Sequence, residues 1–521
     1  MKLKFFGATH EVTGSCTLLS MEDCNILIDC GMEQGKDIFV NEELDIDPAS
    51  IDYVFVTHAH IDHTGRLPLL VKNGFKGEIY ASKGTAELCG IMLRDSAHIQ
   101  ESEAEWKNRK AARAGREEVR PIYGMQDAED TLKLFVPCEY HRVIKIRQGI
   151  TAEFFDAGHL LGSASIRLNV RQRGRNISIV FSGDIGNINK PILRDPEAID
   201  SADFVVMEST YGDRTHPKAP DYIKNLTDIL NDTFSRGGNV VIPSFAVGRT
   251  QELLYFLRVI KQEKLVEHAF KVYVDSPLAV KATQVFNQNT IACCDEETAQ
   301  LLRRGINPIA FDGLVTSQTA EESKAINQTG GCKVIISSSG MCTAGRIRHH
   351  LKHNLWRGDS SVLFVGYQSA GTLGRALLDG AKTVRIFGEE IAVNAKIFTL
   401  EGISGHADMN GLIAWVSNFK KKPTVFVNHG DEACAESLTA RLKEMGYIAH
   451  APYSGDAYLL PGGELAEQGS RERVVRKAPD SFEQRLDAAI AALRQRILGK
   501  ALDGSKQQSV IDKIKEFTKK L

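Results

Sequence analysis

Short apolar runs broken by Gly, Asn and Asp open the chain: "KLKFFGAT", "SCTLLSM", "NILIDCG" and "DYVFVTHAH". Runs of this length bounded by turn residues predict β-strands. The stretch "KGTAELCGIMLRDSAHIQESEAEWKNRKAARAGREEV" then changes to helical spacing with many charges and predicts a pair of solvated surface helices. Strands resume at "ITAEFFDAGHLLGSASIRLNV" and "NISIVFSGDIG". After "DFVVMESTYGD" strand and helix alternate through "NVVIPSFAVGRTQELLYFLRVI", "FKVYVDSPLAVKATQVF", "CKVIISSSGMCTAGRIRHHL" and "SVLFVGYQSAGTLGRALL". That alternation predicts a parallel sheet with crossover helices. Strand-rich sequence returns in "EIAVNAKIFTLEGISGHAD" and "TVFVNHGD", so the middle block reads as an α/β domain inserted into a host. The last residues, 464–521, are charged and predicted helical.

Composition narrows the classes that this pattern allows. A chain of 521 residues has material for two or three domains, and 43% hydrophobic with 25% charged residues describes an ordinary globular protein. No apolar run approaches the roughly 18 residues that cross a bilayer. The opening "MKLKFFGATHEVTGSC" lacks an apolar signal core, so a cytoplasmic protein without membrane partners is expected. Ten scattered cysteines without a CxxC suit reduced, packed thiols rather than a disulfide frame. A net charge of −2 excludes holding a polyanion by a general basic excess, so any positive potential must be local.

The candidate chemistry is densest in "FVTHAHIDHTG", residues 55–65. His58 and His60 are two apart at the end of an extended run and share a face, while Asp62 and His63 follow on the turn. One such cluster can serve two adjacent metals. Imidazole with carboxylate suits Zn²⁺, and ligand type alone leaves Mn²⁺ and Fe²⁺ open. Three further candidates each follow an apolar run beside Gly or small residues: His159 in "FFDAGHLLGSAS", Asp184 in "VFSGDIG" and His429 in "VFVNHGDE".

With these residues in place, the chain resembles the metallo-β-lactamase superfamily, whose HxHxDH motif is matched by His58, His60, Asp62 and His63. It resembles more closely the β-CASP branch of nucleic-acid nucleases, with that branch's three marks matched by Glu208 in "VVMESTYGD", His406 in "GISGHAD" and His429. "DSAHIQE" and "VDSPLA" are similar to bacterial and archaeal relatives of the RNA 3′-processing endonuclease, and the resemblance covers residues 1 to about 460. It implies an α/β fold: an αββα metallo-β-lactamase sandwich with an inserted α/β β-CASP domain. The expected division is 1–209 and 387–463 for the host, 210–386 for the insertion and 464–521 for a helical extension. The resemblance also implies two zinc ions per chain, one on His58, His60 and His159, the other on Asp62, His63 and His429, with Asp184 bridging. A zinc-bound hydroxide is the implied nucleophile. Asp29 in "LIDCG" is expected to orient the HxHxDH loop from behind. Asp62, Glu208 and His406 form the implied catalytic set, with Glu208 holding His406 charged so that it protonates the departing ribose oxygen.

Substrate contacts are expected from three strand-to-helix turns that end in Gly-Arg: Gly248 with Arg249, Gly345 with Arg346, and Gly374 with Arg375. Helix starts and guanidinium groups suit successive phosphates, and Ser244 and the run Ser337, Ser338 and Ser339 add hydroxyl donors. The expected partner is single-stranded RNA, because His429 matches the RNA-processing members where DNA-acting members carry Val. The alternatives are a DNA nuclease of the same fold, a thioesterase- or lactonase-like small-molecule hydrolase, and a binding subunit with a dead site. The amphipathic "SFEQRLDAAIAALRQRIL" leaves a homodimer open.

Overall fold

The computed structural model describes residues 1–471 apart from 35–40, 42–45, 115–117, 173, 218–219, 401 and 403. Alternation along the strands builds its layers. In Tyr53–Val56 the side chain of Phe55 joins one buried cluster while Val54 and Val56 join another, because successive residues face opposite sides of a sheet. Phe55 lies with Phe5, Phe154, Phe181 and Phe426 between two sheets. The first sheet has eight strands, in the order Glu464–Glu467, Ala457–Leu459, Lys2–Gly7, Cys16–Ser20, Asn25–Ile28, Tyr53–Val56, Glu78–Ser82 and Phe135–Cys138. The second has seven, in the order Ile448–His450, Thr424–Val427, Phe204–Met207, Arg175–Phe181, Ala164–Gln172, Ile150–Asp156 and Ile144–Arg147. Helix Leu67–Lys72 covers the outer face of the first sheet through Leu67 and Leu70, and helices Met409–Val416 and Glu432–Glu444 cover the second through Trp415 and Leu438. The result is a four-layer αββα sandwich.

A third sheet of six parallel strands runs Leu314–Thr316, Lys271–Val274, Lys333–Ser337, Val240–Pro243, Ser361–Phe364 and Lys396–Thr399. Val240 and Ile242 face one helix layer and Val241 the other, so both faces are buried, as parallel sheets require. Its last strand lies beyond 386, where the sequence pattern ended the inserted block.

Two expectations need correction. The charged stretch after Ser82 forms one helix, Lys83–Ala114, rather than a pair. No Gly or Pro follows Gly90 to interrupt it, and Leu88, Cys89, Leu93 and Ala97 are fully buried rather than solvated. Glu464–Glu467, assigned to the helical tail, is an antiparallel edge strand on Ala457–Leu459, with Glu467 held by Lys2 at 2.6 Å and Lys4 at 3.1 Å. The amphipathic stretch further on lies outside the described residues. All ten cysteines are free and only Cys332 is not fully buried. Among the described residues, no helix is long and apolar enough to cross a membrane.

Candidate active site

Strand direction gathers the titratable residues at one rim. Asn25–Ile28 and Tyr53–Val56 run parallel in the first sheet and end at Asp29 and at the loop bearing His58 to His63. In the second sheet, Arg175–Phe181, Phe204–Met207 and Thr424–Val427 are mutually parallel. Ile150–Asp156 shares their direction, because it and Arg175–Phe181 are both antiparallel to the strand between them. These four strands deliver His159, Asp184, Glu208 and His429. Close approach there needs small residues: a Cβ on Gly183 would lie 2.7 Å from the Thr57 Cβ. Asp29 and His429 both adopt left-handed backbone, φ 58° and 48°, conformations that functional sites impose on side-chain-bearing residues at some cost.

Two ligand sets meet on Asp184. His58 Nε2 and His159 Nε2 lie 3.1 and 3.3 Å from His60 Nδ1, and 3.4 and 3.7 Å from Asp184 Oδ2. His63 Nε2 lies 3.1 Å from His429 Nε2, which is 3.6 Å from Asp62 Oδ2. The other Asp184 oxygen, Oδ1, sits 3.4 Å from both His63 Nε2 and His429 Nδ1. One carboxylate therefore presents one oxygen to each set. The donors fit a pair of cations: the ligand atoms of His58, His60, His159 and Asp184 lie within 4.8 Å of one another, as do those of Asp62, His63 and His429. Asp184 Oδ1 is buried without a hydrogen bond among the described residues, and the nitrogens of His58 and His159 converge on that of His60 at 3.1 and 3.3 Å. Imidazole nitrogen with carboxylate oxygen, in a four-donor set that includes Asp184 and a three-donor set whose histidines lie 3.4 Å from it, is a donor chemistry that zinc accepts.

The groups behind the ligands fix which nitrogen faces inward. Asp29 Oδ2 is 2.7 Å from His63 Nδ1, and the Gly405 carbonyl is 3.0 Å from His159 Nδ1. Both partners accept, so these Nδ1 atoms carry protons and leave Nε2 free for a metal. Asp29 also accepts from the Thr57 backbone N–H at 2.8 Å and its hydroxyl at 2.9 Å. Burial pushes His58 and His159 well below the usual imidazole range, the neutral state that a metal ligand needs. Burial would raise Asp62 and Asp184. His429 instead holds Asp62 at about 2, and the histidines around Asp184 keep it well below the usual carboxylate range.

Glu208 and His406 stand beside this cluster. Glu208 Oε1 accepts from the Ile185 N–H at 2.6 Å and lies 3.3 Å from His406 Nδ1, which is 3.9 Å from Asp184 Oδ2. Burial alone would lower His406, but the Glu208 carboxylate, with Asp184 and Asp62 behind it, outweighs burial and raises His406 to about 8. Its side chain is 22% exposed.

The expected substrate turns are tied inward more than their sequence suggests. Arg249 pairs with buried Glu252 at 2.5 Å, and Glu252 with Lys190 at 3.2 Å. Arg346 pairs with fully buried Asp275 at 2.7 Å, and Asp275 also takes His350 at 2.6 Å and Ser323 at 2.5 Å. Arg375 is half-exposed beside Asp379. Gly248 and Gly345 have φ of 81° and 80°, and Gly374 packs against Gln368. Ser244 is buried and accepts from Thr250, whereas the Ser338 hydroxyl is buried with no hydrogen bond among the described residues. Arg346→Ala is expected to destabilise the fold by about 3 kcal/mol in urea denaturation, because it removes a cation from a buried carboxylate.

Sequence reasoning did not find Thr57, Gly405 or Lys190. Thr57 was visible as a hydroxyl residue next to His58. Lys190 donates to the His159 carbonyl at 3.0 Å, a contact with no local signal. Asp156, three residues before His159, is raised by burial to about 7, with one carboxylate oxygen unpartnered among the described residues. Its folded pKa exceeds its unfolded value near 4, so it subtracts stability as pH rises from about 4 to about 7. Asp156→Asn keeps the oxygen that accepts from Gly158 at 2.9 Å. The variant is expected to melt higher than the parent, with a gap that is wider at pH 8 than at pH 5.

Residues 11–243 match the family model of the metallo-beta-lactamase superfamily, 250–377 that of the Beta-Casp domain, and 390–452 that of the Zn-dependent metallo-hydrolase RNA specificity domain. The chain is 37% identical over 438 residues to ribonuclease TTHA0252 of Thermus thermophilus, covering 83% of this chain and 94% of that protein. It is 30% identical to an RNase J-like protein of Methanocaldococcus jannaschii, covering 82% and 92%, and 31% identical to the transcription termination factor FttA of Methanosarcina mazei, covering 85% and 69%. A crystal structure of a protein of unknown function from Enterococcus faecalis superposes with a TM-score of 0.51 at 14% identity, covering 88% of this chain and 99% of that one, and shares the fold.

Proposed function

Since this chain belongs to the β-CASP family of the metallo-β-lactamase superfamily, we propose that it is a ribonuclease hydrolysing phosphodiester bonds of single-stranded RNA at a two-zinc centre. The observation that carries the reading is the split of Asp184 between two ligand sets, with the Glu208–His406 pair 3.9 Å away. His58, His60 and His159 would hold one ion, Asp62, His63 and His429 the other, and Asp184 both. Paired zinc ions supply a water nucleophile at neutral pH and neutralise charge on the phosphate under attack.

The chain's own residues do the rest. Asp62, 23% exposed where Asp184 is 2%, accepts a hydrogen bond from the attacking water and orients it. His406 gives its Nε2 proton to the departing ribose oxygen as the phosphorus–oxygen bond breaks, and Glu208 at Nδ1 steadies the imidazolium beforehand. The backbone N–H groups of the turn at Gly345 hold a flanking phosphate, whereas the Gly248 N–H is spent on Gln251 at 2.7 Å and the Ser338 hydroxyl is buried. Arg375 adds the least committed guanidinium, since Arg249 and Arg346 have internal partners. Histidine at 429 and the match to the RNA specificity domain support RNA over DNA.

The test is incubation of zinc-loaded protein with end-labelled single-stranded RNA and DNA of one sequence, with products resolved by length. The reading expects cleavage of RNA that chelator abolishes. Cleavage of DNA alone, or of neither, overturns it.

A further inference from the structure

Beyond the phosphate contacts, we propose that Phe245 and Tyr367 form a platform on which unpaired RNA bases stack. The proposal rests on the ribonuclease reading. Both rings are exposed, Phe245 at 51% and Tyr367 at 72%. They follow Val240–Pro243 and Ser361–Phe364, neighbouring parallel strands, so they stand at the same edge of the third sheet.

That edge is rigid and adjoins the metal ligands. A Cβ on Gly340 would lie 3.2 Å from two atoms of the Phe245 ring, so the ring rests on that glycine. Gln368, buried next to Tyr367, donates to the Gly340 carbonyl at 3.0 Å, and the Gly374 N–H donates to Met341 at 3.3 Å. The three loops are thus bound into one ledge, with the backbone held and the rings in solvent. The Phe245 loop also reaches the catalytic rim. Gly248 approaches the side chain of Leu160, the neighbour of His159, and Ala246 and Val247 share a buried cluster with it. Lys190 links the same loop region to the His159 carbonyl through Glu252.

The chemistry favours bases over a protein partner. The loop that carries Tyr367 leads into helix Leu373–Leu378 with Arg375, and Ser339 adjoins the Gly340 on which Phe245 rests. A flat exposed ring near a half-exposed guanidinium suits a nucleotide, whose base has a π-face and whose backbone is anionic. Stacking on both rings needs bases free of a complementary strand, so the ledge would select single-stranded RNA.

The test is equilibrium binding, by fluorescence anisotropy, of a phosphorothioate single-stranded RNA that resists hydrolysis, with cleavage of the unmodified oligonucleotide measured alongside. Phe245→Ala and Tyr367→Ala are each expected to weaken binding about 5- to 100-fold, the usual worth of one stacked base. Metal content and melting temperature should be unchanged. Tyr367→Phe and Phe245→Trp should bind as the parent does, since the ring alone is used. Trp356→Ala, which removes an exposed ring at the opposite end of the strand Ser361–Phe364, should have no effect. Replacing single nucleotides by abasic residues should weaken binding to the parent at the stacked positions, with no further loss in the matching alanine variant. Alanine variants that bind like the parent, or abasic penalties that persist in them, overturn the platform. A parent that binds but does not cleave removes the ribonuclease reading while the abasic comparison still decides the platform. A parent that does not bind removes both.

Discussion

Asp184→Ala protein, purified without chelator and supplemented with zinc, will carry one zinc ion or none and will not cleave RNA measurably. Each ligand set loses a carboxylate oxygen, Oδ2 from the set of His58, His60 and His159 and Oδ1 from that of His63 and His429. The histidine trio keeps three nitrogens and can still hold an ion, whereas the other set keeps Asp62 and two histidines and is weaker. Cleavage needs both ions, so the loss should be at least about 10⁶-fold, the low end of what enzymes add to an uncatalysed rate. Asp184→Asn separates charge from shape, because its one remaining oxygen can face only one set. Elemental analysis reads both variants, and a melting curve establishes that each is folded. A variant that keeps two ions and cleaves would remove Asp184 from the bridge.

His406→Ala should give the opposite separation. Its side chain holds no metal in either ligand set, so zinc content and RNA affinity stay near those of the parent while cleavage falls about 10²- to 10⁴-fold, the worth of a positioned general acid. A nitrophenyl phosphodiester, whose leaving group departs without protonation, should be slowed far less. Loss of a metal, or equal slowing of both substrates, would move His406 into the metal shell or the scaffold. Glu208→Gln keeps the hydrogen bond from Ile185 but removes the charge that raises His406, and should reproduce part of the same defect.

How far such roles could be read beforehand depended on whether their partners were near in sequence. His58, His60, Asp62 and His63 occupy one turn, so their spacing alone proposed a metal cluster. The short apolar run of Tyr53–Val56 likewise announced a strand. Asp184 could be listed as a ligand but not as one oxygen for each set, because that geometry exists only where the two sheets end together. Arg249 shows both sides of the limit. Its partner Glu252 stands three residues on, a spacing known to pair on helices, and was available to a reader of the sequence. Asp275, which ties down Arg346 from seventy-one positions away, was not. Glu464–Glu467 has the composition of a charged tail and becomes a strand only because Ala457–Leu459 offers an edge and Lys2 and Lys4 take its charge.

One titration tests the two-ion account most directly. Metal-free protein is given zinc in steps, and the initial rate of cleavage of one end-labelled single-stranded RNA is followed. The account predicts a rate that stays near zero through the first equivalent, rises through the second and is flat beyond it. A rate that saturates at one equivalent, or cleavage by the metal-free chain, would contradict it.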